Sequence, residues 1–162
     1  MMTVTKVRTE IVAGRDITRT STAGILGVDE PNLYVIFKLL ERLKRGGKRT
    51  IPQKSGKTQF RTKTVFKDSN PVWEQSFELD VKKSDPSSLL EMELQVMDIG
   101  NHGGVSSKVG SATVLISEQV EEQECWVPLQ RKRKETAPDA SHQAGPGPTV
   151  GVHYRHLRPK PR

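Results

Sequence analysis

The sequence is poor in the residues that support several common classes of protein. Only one cysteine, Cys125, occurs among 162 residues, so no internal disulfide can form. Aromatic residues make up 5% of the chain, too few to suggest the stacking platforms that bind single-stranded nucleic acid. No apolar run is long enough for a transmembrane helix, and the first ten residues lack the apolar stretch of a signal peptide. These absences favour a cytoplasmic setting, because disulfides and signal peptides mark secreted proteins.

Signals of catalysis and of metal binding are also scarce. The GGK sequence at 46–48 lacks the spacing of a phosphate-binding loop, and no Gly-x-Ser-x-Gly motif occurs. His153 and His156 would face opposite sides of a strand, so they could not share a metal ion there. Cys125 stands beside Trp126 in an apolar segment and is interpreted as a buried structural residue. We therefore expect a protein that is not an enzyme and that has no metal, no cofactor and no small-molecule substrate.

The chain carries an excess of positive charge that is unevenly spread. Lysine and arginine total 26 against 19 acidic residues, which gives a formal net charge of +7. Basic residues concentrate in 41–67, in the RKRK run at 131–134 and in the last ten residues, whereas 74–124 is acidic. This balance favours an anionic partner. A membrane, an acidic protein and a nucleic acid all remain open on charge alone, and any one run could instead be a solvated loop.

Apolar and polar residues alternate in several segments, as expected of half-buried β-strands. In WEQSFELDV the apolar members from Trp73 to Val81 share one face, and LLEMELQVMD repeats the pattern from Leu90 to Val96. A shift of one residue would expose the whole apolar set, so the register of both strands should be firm. Less regular patterns complete a set of eight candidate strands, near residues 4–13, 32–40, 58–67, 73–81, 90–97, 109–116, 124–129 and 149–157.

Eight short strands separated by turn-rich pieces predict an all-β fold, an eight-stranded antiparallel β-sandwich. The stretch at about 130–148 is low in apolar residues and rich in Gly, Pro and Ala, so it is interpreted as a long flexible loop before the last strand. Because a strand pattern follows this loop, residues 1–162 are expected to form a single domain.

The segment QFRTKTVFKDSNPVWEQSFELDV resembles a C2 domain closely. The matching residues are Phe60, Thr62, Lys63, Asn70, Pro71, Trp73, Glu74 and Phe77. Asn-Pro forms a tight turn, since proline fixes φ and asparagine bonds its own backbone. Six further pieces are similar in the same order, namely EIVAGRDI, PNLYVIFKL, LEMELQVMD, KVGSATVLI, CWVPL and GVHYRHL. The resemblance implies a calcium- and phospholipid-binding module, with the topology of the phospholipase C group because the closing strand comes last.

The resemblance also indicates which calcium ligands are missing. C2 domains that bind calcium gather about five aspartates, since calcium takes six to eight oxygen ligands. Here Asn32 stands at the first position, Asp98 is retained, and Gly100 and Ser107 replace two later acids. The resemblance therefore implies a calcium-independent member. Its third loop, with glycines and His102, is expected to lack large apolar residues that could enter a bilayer.

Four basic residues, Lys57, Arg61, Lys63 and Lys67, have the same parity in the predicted strand at 58–67. They should share one face, opposite Phe60 and Phe66. Many C2 domains use such a lysine-rich strand for acidic phosphoinositides or for protein partners, and the resemblance implies the same here.

Two functions follow from these patterns. The first is calcium-independent, peripheral binding to anionic phospholipid or phosphoinositide membranes through the basic strand face, where each cation contributes about 1 kcal/mol. The alternative is a protein–protein interaction or scaffold domain of a larger cytoskeletal or trafficking protein, with an acidic protein partner and no lipid binding. Nucleic acid is disfavoured as a partner because aromatic platforms are missing.

Overall fold

A computed structural model describes residues 6–18, 30–100, 105–131 and 147–157. These residues contain strands and connecting segments, and no helix lies in the described ranges. The nine strands within these ranges are β1 (Lys6–Arg15), β2 (Leu33–Arg42), β3 (Lys48–Thr50), β4 (Phe60–Arg61), β5 (Val72–Asp80), β6 (Leu89–Ile99), β7 (Ser106–Ile116), β8 (Glu122–Pro128) and β9 (Thr149–Leu157).

The strands form two antiparallel sheets. One sheet has the order β5-β1-β9-β8, and the other has the order β3-β2-β6-β7 with β4 also paired to β2. The prediction of an all-β antiparallel sandwich is confirmed. The final strand, β9, lies between β1 and β8. Most of the loop predicted at about 130–148 falls outside the described residues.

The core lies between the sheets and follows the predicted alternation. On β6, Leu90, Met92, Leu94 and Val96 are each at most 1% exposed. Burying a side chain of this size contributes roughly 1.5–3 kcal/mol. Trp73 on β5 is also buried, and its indole N–H donates a hydrogen bond to a β2 carbonyl at 3.2 Å. This tryptophan, which follows the Asn-Pro turn, therefore anchors β5 in the core.

Three aromatic rings close one side of the sandwich. Phe37 on β2 lies 5.4 Å from Phe60 on β4 and 4.9 Å from Phe77 on β5, measured between ring centroids. Phe60 and Phe77 are 5.9 Å apart. Such pairs contribute about 0.5–1.5 kcal/mol beyond area burial. The cluster therefore fixes β4 against both sheets.

The strand predicted at 58–67 is wrong in its length. Only Phe60–Arg61 is regular strand. Arg61 pairs with Ile36, whereas Val65 bridges to Leu33, so four steps along this segment oppose three along β2. One extra residue reverses the direction of the side chains that follow. Phe66 is consequently 66% exposed, although alternation placed it in the core with Phe60.

At the far end of β2, a buried carboxylate holds three segments together. Glu41 is fully buried and accepts hydrogen bonds from the backbone N–H groups of Ser84 and Asp85 at 3.1 and 3.0 Å. The Ser88 hydroxyl donates to it at 2.5 Å, and Arg49 on β3 donates at 3.0 Å. The side chain thus joins β2 to β3 and to the connection between β5 and β6.

Candidate functional site

The four basic residues predicted as a binding face lie along one edge of the five-stranded sheet. We call Lys57, Arg61, Lys63 and Lys67 the basic edge. All four are exposed. Within the described part of the chain, none of them forms a salt bridge with an acidic side chain. Their charge is therefore presented to solvent.

Backbone contacts place the members of the basic edge. Arg61 belongs to β4, and its neighbour Phe60 is anchored in the aromatic cluster. The Lys63 N–H donates to the Gln75 side chain on β5 at 2.8 Å. The Lys67 N–H donates to the Asn32 side-chain oxygen at 2.9 Å. The edge is thus tied to β5 in one sheet and to the start of β2 in the other.

The expectation that the four cations share one face of one strand is wrong. Arg61 is the only member within a regular strand, and the extra residue after it breaks the alternation. Its guanidinium lies 3.8 Å from the centroid of the Tyr34 ring. A cation over an aromatic ring at an exposed site contributes about 0.5–1 kcal/mol and limits the motion of the side chain. No sequence pattern indicated this stacking, because the two residues are distant in the chain.

Neighbouring acids pair with other cations. Glu91 on β6 contacts Arg42 at 2.7 Å and Lys48 at 3.1 Å, and Glu93 lies 3.9 Å from Lys38. Glu78 pairs with Arg8 on the other sheet. Sequence reasoning missed these basic partners on the outer face of the sheet. The acidic residues of β6 are therefore paired with other cations, and no salt bridge among the described residues neutralises the basic edge.

Asn32 and Asp98, two positions matched to calcium loops, hold the backbone at one end of the sandwich. Both side chains are buried. The Asn32 N–H donates to the Asp98 carboxylate at 3.0 Å, and the Asn32 amide donates to the Ile99 carbonyl at 3.0 Å. Asp68 and Asn70 form further backbone bonds in the adjacent connection. No group of three or more His, Cys, Asp or Glu suited to a metal ion occurs in the described ranges.

Two large apolar side chains are exposed at this same end. Phe66 precedes Lys67, whose N–H bonds to Asn32. Val105 is 86% exposed and precedes Ser106, which pairs with Ile99. The expectation that the third loop lacks large apolar residues is wrong at Val105. Phe66 adds an apolar group from the neighbouring connection, directly beside a cation of the basic edge.

A family model for the C2 domain matches residues 5–129, well over half of the chain. The chain belongs to the C2 domain family. C2 domains are modules that bind membranes or proteins. No curated protein sequence matches this one at a significant level.

Solved structures share the fold of this C2 domain at low identity. The tandem C2 domains of extended synaptotagmin 2 with calcium bound match at 14% identity and TM-score 0.62, covering 98% of this chain and 48% of that chain. A structure described as CC2D1B, which coordinates ESCRT-III activity in mitotic re-formation of the nuclear envelope, matches at 13% identity and TM-score 0.55. The match covers 98% of this chain and 57% of that chain. PLC21 from L. pealei matches at 14% identity and TM-score 0.54, covering 97% of this chain and 16% of that chain. The chain therefore spans less than two thirds of each of these structures. No helix in its described residues is long and apolar enough to cross a membrane.

Proposed function

We propose that this C2 domain is a non-catalytic, cytoplasmic module that binds anionic phospholipid or phosphoinositide membranes peripherally, through the basic edge and without calcium. The observation that carries the proposal is the exposure of four cations that form no salt bridge within the described chain. Each cation near an anionic leaflet contributes about 1 kcal/mol, so the edge supplies about 4 kcal/mol. That energy alone corresponds to roughly millimolar binding.

Phe66 strengthens the surface, because an apolar ring beside Lys67 can enter the headgroup region while the cations contact the phosphates. Burying such a ring contributes roughly 1.5–3 kcal/mol. Charge and apolar burial together give about 6 kcal/mol, which corresponds to tens of micromolar. A second membrane-binding domain or a multivalent assembly would raise the overall affinity enough for stable attachment.

Replacing Phe66 with alanine is expected to weaken binding to anionic vesicles about tenfold, because roughly 1.5 kcal/mol of apolar contact is lost. The change should leave the thermal unfolding temperature close to that of the native chain, since the ring is mostly outside the core. Leu115→Ala is the matched control, as Leu115 is 55% exposed on β7 at the opposite edge. Vesicle sedimentation measures the affinity of both variants. Equal losses of affinity in the two would show that Phe66 is not part of the binding surface.

Calcium independence is supported by the chemistry of the loop end. Calcium takes six to eight oxygen ligands, several of them charged. Asn32 and Asp98 already bond to backbone groups, and Gly100 and Ser107 bring no carboxylate. Titration calorimetry with calcium is therefore expected to show no binding below about millimolar concentration. A micromolar isotherm would contradict this part of the proposal.

Vesicle sedimentation in the presence of a calcium chelator tests the function. Neutral phosphatidylcholine vesicles are compared with vesicles that also contain phosphatidylserine or a phosphoinositide. We expect binding only to the anionic vesicles. Binding should be weaker at 1 M salt than at about 0.1 M, because the screening length falls from roughly 10 Å to roughly 3 Å. Failure to bind any of these vesicles would reject the proposal and favour a protein-interaction module.

A further inference from the structure

One exposed hydroxyl lies within the basic edge. Thr58 follows Lys57 directly, precedes Arg61 by three residues and is exposed. The neighbouring Thr62 is buried, and its hydroxyl accepts the Val35 N–H and donates to the Lys63 carbonyl, each at 2.9 Å. Thr58 has no such bond among the described residues. Its hydroxyl is therefore available to an enzyme that modifies surface side chains.

The chain around Thr58 is accessible and basic. All residues from Lys54 to Gln59 are exposed. The preceding turn closes with a hydrogen bond from the Gly56 N–H to Gln53, and β4 begins only at Phe60. Ser55 lies inside that turn, where its hydroxyl accepts the Lys57 N–H at 3.4 Å. Thr58 lies outside the turn, and Lys54 and Lys57 precede it.

We propose that Thr58 is a phosphorylation site for a protein kinase with an acidic substrate groove, and that its phosphate turns off the basic edge. The second part rests on the proposed membrane binding. In the reaction, the Thr58 Oγ1 forms a bond to the γ-phosphorus of ATP while the bond from that phosphorus to the β-phosphate oxygen breaks. The hydroxyl proton passes to the kinase's catalytic carboxylate, and ADP leaves.

Charge predicts the size of the effect. A phosphothreonine carries about −1.5 to −2 charges at neutral pH. Three residues of extended chain span at most about 10 Å, so the phosphate lies close to both Lys57 and Arg61. It therefore cancels about two of the four cations. At about 1 kcal/mol for each charge, binding to anionic vesicles weakens about 30-fold.

The test uses the full chain, a kinase that prefers basic substrates, ATP and mass spectrometry. Phosphate is expected at Thr58 and should be missing from that peptide in Thr58→Val. The phosphorylated chain is then sedimented with phosphatidylcholine–phosphatidylserine vesicles, where we expect about 30-fold weaker binding than for the unmodified chain. Thr58→Glu should weaken binding about fivefold, whereas Gln119→Glu, with the same charge change at the opposite edge, should not.

Three results would overturn parts of this inference, and they are distinguishable. Phosphate confined to other residues rejects Thr58 as the site. Equal binding by the phosphorylated and unmodified chains rejects the switch. If the unmodified chain ignores anionic vesicles, the proposed function and the switch fail together, while phosphate mapping still decides whether Thr58 is the modified residue.

Discussion

Replacing the four residues of the basic edge with glutamine is expected to weaken binding to anionic vesicles by about a thousandfold. The estimate follows from the loss of four cations at about 1 kcal/mol each. Stability should change little, because all four side chains are exposed and their removal opens no cavity. The largest cost is the lost stacking of Arg61 on Tyr34, about 0.5–1 kcal/mol. Vesicle sedimentation measures the binding, and urea unfolding measures the stability.

Two controls remove the same charge elsewhere. One replaces four other exposed cations with glutamine, namely Lys44, Arg45, Lys82 and Arg155. The other replaces the RKRK run at 131–134, where Arg131 already donates hydrogen bonds to Thr18 and Lys132–Lys134 lie outside the described residues. Both controls should retain most of the binding, since neither touches the basic edge. A dominant RKRK run and a dispensable basic edge would show that the edge is only a solvated surface.

Replacing Glu41 with glutamine is expected to destabilise the fold by about 3 kcal/mol at neutral pH. Glutamine removes the negative charge and turns an amide group toward donors. Only one carbonyl oxygen remains, so either the Ser84 N–H, or the Asp85 N–H together with the Ser88 hydroxyl, would lose its acceptor and face an amide donor. Arg49 would also lose its anionic partner. Urea unfolding at pH 7 measures the difference from the native chain.

The pH dependence of this variant tests the mechanism. Burial raises the pKa of the Glu41 carboxyl, but hydrogen bonds from Ser88, Asp85 and Ser84 outweigh burial and lower the pKa from 4.5 to about 2. A lowered carboxyl pKa in the folded state stabilises the fold above the unfolded pKa, and that contribution is lost as the pH falls toward 2. A pKa shift of one unit corresponds to about 1.4 kcal/mol, so the lowering of the Glu41 pKa from 4.5 to about 2 corresponds to about 3 kcal/mol of stability. The stability gap between native and Glu41→Gln chains should therefore shrink between pH 4.5 and 2.

A gap that stays constant across this range would show that the carboxylate charge is not what stabilises the fold. Glu78→Gln provides the matched control. Glu78 is exposed and pairs at 3.1 Å with Arg8, which is also exposed. An exposed ion pair contributes about 0–1 kcal/mol, so this variant should stay close to the native chain at every pH.

The strands predicted most accurately are those with one face in the core and the other face toward solvent. β5 and β6 each place one face in the core and one face outward, so their apolar residues recur at every second position. β3 has only three residues, all polar, and no period can be detected over that length. At β4 the extra residue between Arg61 and Val65 interrupts the period. Alternation alone therefore misplaced Phe66.

The candidate site was predicted in composition but not in arrangement. The count of basic residues along the segment indicated exposure, because lysine side chains are rarely buried. The stacking of Arg61 on Tyr34 and the pairing of Glu91 with Arg42 depend on strand order, which no local pattern encodes. Likewise, the exposure of Val105 follows from where β7 begins rather than from its own residue type.

The most direct test of membrane binding through the basic edge places an environment-sensitive dye at each edge of the sandwich. The native Cys125 is replaced by alanine, and the dye is attached through Gln59→Cys beside β4 or, as the matched control, through Gln119→Cys after β7. Phosphatidylserine vesicles are added in the presence of a calcium chelator. Docking through the basic edge predicts a blue-shifted signal from the dye at position 59 and no change at position 119. A response at position 119 alone, or at neither position, would contradict it.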